Sequence, residues 1–421
     1  MLVICANWAV NDGTLGCRAV DARPWLERVR RAVLRGGFRS DGRYRPVDAV
    51  DLVLAGDTFD WLSSAAWTGA DRPWRAGPRV RDLHARVRWA SARRARALLA
   101  GLARWTRRGL DVPAADRVGR PRPGTSVVVP VRITFLVGDR DARLEETAAD
   151  LARFGCHVGQ AWSNGLVDVR HGAEFDPLHG VPPGPAAAAR RPTIQESLLV
   201  DLVACFAMRL SEAGHEPSVV GPLAAALAAV GPLEMPAVIA GVAADRGPPR
   251  PASPTTILDH WRHAVDAWHR AALATQPDCG LACCPLDALA SALAPATPRH
   301  RPAADDLVAL LAQPSFRPSG RTAPRSSAVL GHPPAASDRL GGATGGPVVC
   351  LGGASVRSSP IVAGAPDRAV AGRGLPVAAV ATIAGVFTTG GDGGVEWHWL
   401  PGDDCQPIRA PAAFRRVVDA A

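Results

Sequence analysis

The sequence predicts an α/β protein, and three observations carry that prediction. The chain opens with an apolar run from Leu2 to Ala6, a polar loop, an amphipathic stretch and a second apolar run at Asp51–Leu54, which is how an α/β sheet begins. Several such runs then stop at Gly-Asp or at a histidine, as buried strands do when they turn at their carboxyl ends. With 421 residues, 47% of them hydrophobic, there is enough apolar material for a substantial core.

Taken in order, Leu2 to Ala6 reads as the first strand and Asn7 to Gly13 as a loop. A helix follows from about Pro24 to Arg35, with Trp25, Val29 and Val33 on one face and Gly36-Gly37 stopping it. After the strand before Gly56-Asp57 comes a Trp-rich loop, then an arginine-studded helix from about Val80 to Arg108, striped by Leu98, Leu102 and Trp105. Asp111 to Gly124 carries the Pro, Arg and Gly of a surface loop. The strand at Ile133 leads to a helix from Ala142 to Phe154 that Gly155 ends, and the next strand leads to His171. From about 181 to 324 the chain becomes rich in Ala and Pro and reads as a helical insert. In it Thr193-Ile-Gln-Glu196 is a capping box opening a helix through Leu210, and Trp261, Val265 and Trp268 share a face near 257–273. Ser315 to Arg325 is a linker. Short strands return at Ala328–Leu330, Val348–Leu351, Val377–Thr388 and Val395–Leu400, the last two joined by a glycine-rich turn at Gly390–Gly394, with a tail over 406–421.

Composition bounds the function. All 48 basic residues are arginine, against 39 acids, and the net charge of +9 is spread along the chain, so it points to coding composition as much as to a polyanionic partner. Nucleic-acid binding through the arginine-rich helix ranks low because no stacking aromatics accompany the charge in a recognisable module. Nine cysteines without a regular framework fit a reduced, cytoplasmic setting, and Cys279, Cys283 and Cys284 lack a second pair at zinc-finger spacing. The N-terminus shows no secretion signal. The apolar stretch Val219 to Ala244 is broken by Gly221-Pro222, Gly231-Pro232 and Pro236, so short buried helices are expected there. A transmembrane segment is not, though peripheral contact with a membrane surface stays open.

Gly56-Asp57-Thr58-Phe59-Asp60 places an acid at a strand's carboxyl end, where it is either a turn residue or a metal ligand. Gly138-Asp139-Arg140-Asp141, Arg170-His171 and Gly331-His332 repeat the arrangement, so four strand ends offer Asp57, Asp139, His171 and His332.

In this order and spacing the segments resemble the calcineurin-like metallophosphoesterases, whose pattern runs Asp-x-His, Gly-Asp-x-x-Asp, Gly-Asn-His/Arg-Asp/Glu, a solitary His, and Gly-His-x-His. The wording is nearest the UDP-2,3-diacylglucosamine hydrolase branch: Gly56-Asp57-Thr58-Phe59-Asp60-Trp61, an Arg in the third motif, and His171-Gly172-x-x-Phe175-Asp176. The resemblance implies a two-sheet β-sandwich flanked by helices over 1–180 and 325–405, interrupted by the insert at 181–324. It implies hydrolysis of a phosphoester or pyrophosphate bond in a small-molecule or nucleotide-diphosphate substrate. Asp57, Asp139, His171 and His332 would bind a divalent Mn, Zn or Fe ion, one ion and two at most. Arg140 would clamp phosphate, and Asp60 and Asp141 would orient the ligands.

Two motifs depart from the pattern. The first has Asn7, a weak ligand, where the family has Asp, and Ala9 where it has His; the last has Pro334 in place of its second His. One metal position is therefore expected to be provided for and its neighbour nearly bare, with Asp12, Glu174, Asp176 and His179 close enough in sequence to rebuild it in part. The rival expectation is a catalytically impaired member of the family that serves as a binding or scaffold protein.

Overall fold

The computed structural model describes residues 1–5, 8–15, 22–39, 41–164, 167–173, 192–230, 232, 235–245, 256–275 and 283–294, together with four short strands between 327 and 400. The α/β part runs β1 (Leu2–Cys5), α1 (Ala22–Gly36), β2 (Val50–Leu54), α2 (Pro78–Arg94), α3 (Arg96–Arg108), β3 (Leu110–Ala115), β4 (Pro121–Val129), β5 (Val131–Leu136), α4 (Ala148–Arg153), β6 (Cys156–Gly159), β7 (Ala161–Ser163) and β8 (Val167–Arg170). Helices follow: α5 (Ile194–Ser197), continued by a π-helical stretch Leu198–Ala204 into α6 (Cys205–Glu212), then α7 (Pro217–Ala229), α8 (Met235–Asp245), α9 (Ile257–Thr275) and α10 (Cys283–Leu293). The chain returns to strands in β9 (Ser327–Leu330), β10 (Val348–Cys350), β11 (Ala384–Thr389) and β12 (Val395–Leu400).

The architecture is mixed α/β. One six-stranded sheet has the order β12-β11-β1-β2-β5-β6, in which β1, β2, β5 and β6 are parallel and β11 and β12 antiparallel. A four-stranded sheet has the order β10-β9-β8-β7, and β3 with β4 forms a separate hairpin. All four residues of β1 are buried, the pattern of a parallel strand covered on both faces. Helix α1 packs there through Trp25, Val29 and Val33, as its spacing predicts. Where β2 meets β5 at their outer ends, Arg132 donates to both oxygens of the opposite Asp51 at 2.7 and 2.9 Å.

Two expectations are corrected. The single helix over Val80–Arg108 is two, broken at Ala95. Four residues before the break the buried Ser91 hydroxyl donates to the Val87 carbonyl at 2.9 Å, a back-bond that bends helices. The surface loop at Asp111–Gly124 is largely a hairpin, because Asp116 accepts from the Val118 and Arg120 amides at 2.9 and 2.7 Å and so closes the turn between β3 and β4. Its prolines are tolerated because the hairpin has only two strands and open edges.

The helices α5 to α10 enclose a second apolar cluster around Phe206, Trp261 and Trp268. The capping box forms as read: Thr193 and Glu196 exchange hydrogen bonds at 2.9 Å. This helical part is tied to the α/β part by Arg72, whose Nε donates to Asp201 at 2.5 Å, with both side chains largely buried. No helix among the described residues is long and apolar enough to cross a membrane. The Ser315–Arg325 linker, the Gly390–Gly394 turn and the 406–421 tail lie outside the described residues, although Thr389 and Val395 pair across that turn.

Candidate metal centre

The centre follows from strand pairing. β2 and β5 are parallel neighbours with Leu54 opposite Phe135, so Asp57 and Asp139, each three residues past its strand, leave the sheet at the same edge. His171 arrives from β8 of the other sheet. The three side chains converge: His171 Nε2 lies 2.6 Å from Asp139 Oδ1 and 3.6 Å from Asp57 Oδ1, and one ligand atom from each falls within 4.8 Å of the others.

Close approach is possible because two neighbours lack side chains. A Cβ on Gly56 would stand 2.2 Å from His171 Nδ1, and one on Gly138 would stand 2.2 Å from Asp57 Oδ1 and 2.4 Å from the Asp57 amide nitrogen. The turn that aims Asp57 is left-handed at both residues, with φ +89° at Gly56 and +50° at Asp57, a conformation Asp tolerates better than most. Ala9 is left-handed too, at φ +48°, and its amide donates to the Asp57 carbonyl at 2.8 Å. The loop carrying Ala9 thus runs beside Asp57 and brings a methyl group there.

Hydrogen bonds set the orientation of each group. His171 Nδ1 donates to the Ala55 carbonyl at 3.1 Å, which turns Nε2 towards the two carboxylates. This is the arrangement that fixes the tautomer of a metal-binding imidazole. Asp141, with no solvent exposure, accepts from the Gly138 amide at 2.7 Å and from the Phe59 amide at 3.1 Å, and so ties the Asp57 turn to the Asp139 turn. Asp60 accepts from the Ser63 amide and hydroxyl at 3.0 and 2.6 Å. Both acids therefore hold the backbone turns around Asp57 and Asp139 in place.

Arg140, expected as a phosphate clamp, makes internal contacts. Its guanidinium turns inward: Nη1 donates to Asp60 at 3.0 Å, Nη2 to the Ala228 carbonyl of α7 at 2.5 Å, and Nε faces Asp57 Oδ2 at 3.6 Å. The physical reason is that the Asp57 and Asp60 carboxylates are almost wholly buried and need a counter-charge more than a phosphate does. Arg140 is thus an internal counter-ion that also fastens the helical part to the centre.

Electrostatics favour a cation. Among the described residues, Asp57, Asp60, Asp139 and Asp141 face the cationic groups Arg140 and His171, four carboxylates to two cations. Protonation is one answer to that excess. Burial, then the charge of Asp139, raises Asp57, while burial, then the charge of Asp57, raises Asp141 to about 7 against the pull of its two amide donors. Burial alone would push His171 down, but Asp57 and the contact with Asp139 hold it up at about 9. A divalent ion is the other answer. With ligand bonds of about 2.1 Å, the donor atoms of a tetrahedral site stand about 3.4 Å apart. The 3.6 Å separation already matches, and the 2.6 Å hydrogen bond would open as the ion replaced its proton. Two carboxylates and an imidazole suit zinc, manganese or iron.

Of the four expected ligands, the structure brings three together. His332 and Asn7 lie outside the described residues, as do Glu174, Asp176, His179 and Pro334. Asp12 is described and is not one of the grouped ligands; its carboxylate accepts from Ser64 and Thr14. Among the described residues no other cluster of metal-ligating side chains occurs, His260 and His263 included. The Ala55 and Ala228 carbonyls escaped the sequence reading because a backbone acceptor leaves no mark in residue type. Ser63 could have been found as the hydroxyl three residues beyond Asp60.

No family model, curated protein or solved structure matches this chain.

Proposed function

We propose that the chain is a metal-dependent hydrolase of phosphoester or pyrophosphate bonds, of the calcineurin-like type, with its dinuclear site reduced to one well-provided metal position. The observation that carries this reading is the buried Asp57–Asp139–His171 group, with His171 held by the Ala55 carbonyl so that Nε2 points at both acids. The order of the motifs supports it, as does the join at the centre between carboxyl strand ends of the two sheets, which we take as the two layers of the family sandwich. His332 is the proposed fourth ligand: β9 runs parallel to β8 with Leu330 level with Arg170, so the chain leaves β9 at the edge that delivers His171.

In this reading Asp57, Asp139 and His171 hold the ion, Asp141 fixes the spacing of the two acid-bearing turns, and Arg140 with Asp60 keeps the Asp57 turn in place. A bound divalent ion supplies Lewis acidity and lowers the pKa of water. The substrate class is a small-molecule phosphoester or a nucleotide diphosphate. A second reading, an impaired family member acting as a binding or scaffold protein, is favoured by Ala9, which offers a methyl group beside Asp57, and by an Arg140 already spent on internal partners.

Two measurements on the purified full chain decide. Metal analysis should find about one equivalent of transition metal, lost in His171→Ala. Manganese-dependent hydrolysis of an aryl phosphodiester should be lost in Asp57→Asn. Metal retention without hydrolysis across a panel of phosphodiesters and nucleotide diphosphates would leave the scaffold reading; absence of metal binding would end both forms of the ligand argument.

A further inference from the structure

Charge alone says little in a chain whose only strong base is arginine, but the structure adds an aromatic to it. Trp89, on α2, is 65% exposed, whereas seven other tryptophans are buried. The Arg93 guanidinium lies over its ring, 5.1 Å from the centroid. Arg86 precedes Trp89 by three residues and Arg93 follows by four, so all three share one helical face. Arg79 and Arg88 are paired with Asp71 and Glu146, but Arg81, Arg86, Arg93 and Arg96 meet no carboxylate among the described residues. Asp82, the only acid of the helix, stands one turn before Arg86 on this face and forms no ion pair with it.

We infer that this face of α2 binds single-stranded nucleic acid, with one base stacked on Trp89 and the flanking phosphates held by Arg86 and Arg93. The two arginines stand about 10 Å apart along the helix axis, on either side of the ring. A flat π-surface bracketed by cations is the unit that non-specific single-strand binders repeat, because every base offers a face to stack and every linkage a charge to neutralise. A membrane surface fits less well: a helix lying in the interface needs a stripe of apolar side chains, and here Trp89 is the only large apolar group on the exposed side. The proposal is independent of the metal centre, since none of these residues takes part in it.

The test is fluorescence anisotropy on the full chain with a labelled oligothymidylate of about 20 nucleotides, at salt from about 50 to 200 mM. Trp89→Ala should weaken binding about tenfold or more and Trp89→Phe much less, since a phenyl ring still stacks. Arg86→Gln with Arg93→Gln should lower the slope of log affinity against log salt by about 1.4, two phosphates at about 0.7 each. A duplex of the same length should compete less well than the single strand. Binding that is absent at low salt, unchanged in Trp89→Ala or equal for duplex would overturn the proposal. So would Trp89-dependent binding to phosphatidylserine vesicles without binding to the oligonucleotide, which would assign the face to a membrane.

Discussion

The Gly56→Ala variant tests the centre most directly, because its effect separates into two parts that a matched variant can resolve. The new methyl carbon would stand 2.2 Å from His171 Nδ1 and 2.5 Å from Cγ, where ordinary contact begins at 3.4 Å, so the ring must retreat by about 1.2 Å. That is far beyond the roughly 0.2 Å a metal–ligand distance tolerates, and it breaks the 3.1 Å bond to the Ala55 carbonyl. Metal affinity should fall by about 100-fold or more. Stability should fall by about 3 kcal/mol, of which about 1–2 comes from placing Ala at φ +89° and the rest from the lost buried hydrogen bond. Gly42→Ala isolates the backbone part: Gly42 has φ +78° and no atom within 4 Å of a new Cβ, so it should cost only about 1–2 kcal/mol and leave metal binding intact. The assays are urea denaturation and calorimetric titration with manganese and zinc. If Gly56→Ala binds metal like the unaltered chain, or costs no more stability than Gly42→Ala, His171 does not stand where this reasoning needs it.

Three further expectations follow from other contacts. Burial, aided by Arg143 and Arg88, holds the His84 pKa down at about 4 although its Nε2–H donates to the Pro73 carbonyl. The unfolded chain, with a pKa near 6.5, therefore binds more protons between those values, and stability contributed above pH ~6.5 drains away, by up to about 3 kcal/mol, as pH falls to ~4. His84→Gln, which keeps a donor for Pro73 and cannot titrate, should flatten a denaturation profile over that window; a slope equal to the unaltered chain's would assign the proton uptake elsewhere. Asp141→Asn leaves one oxygen for two amide donors, so amide exchange at Phe59 or Gly138 should quicken and metal affinity drop about 10–100-fold; unchanged exchange at both would refute the tie between the turns. Ala9→Gly relieves a left-handed alanine and should stabilise by about 0.5–1 kcal/mol net of glycine's greater unfolded-state freedom, as read by thermal denaturation; a loss of stability would show that the methyl group packs usefully there.

Much of this was legible in the chain itself. The strands before Asp57, Asp139 and His171, the apolar face of α1, the capping box at Thr193 and the Trp261–Trp268 helix face all follow from hydrophobic period and turn chemistry, which are properties of near neighbours. For the same reason the types of the three candidate ligands could be read before their meeting was seen. What near neighbours do not contain is which strands lie side by side and which way a long side chain turns. Pairing of β2 with β5, and the arrival of β8 from a second sheet, decide that Asp57, Asp139 and His171 meet within a coordination distance. Burial of Asp57 and Asp60 decides that Arg140 faces inward, and the packing of α2 through its opposite face leaves Trp89 in solvent. Local sequence settles conformation because its energies act over a few bonds; the centre and the exposed indole depend on contacts between segments as much as 116 residues apart, which exist only once the sheets have formed.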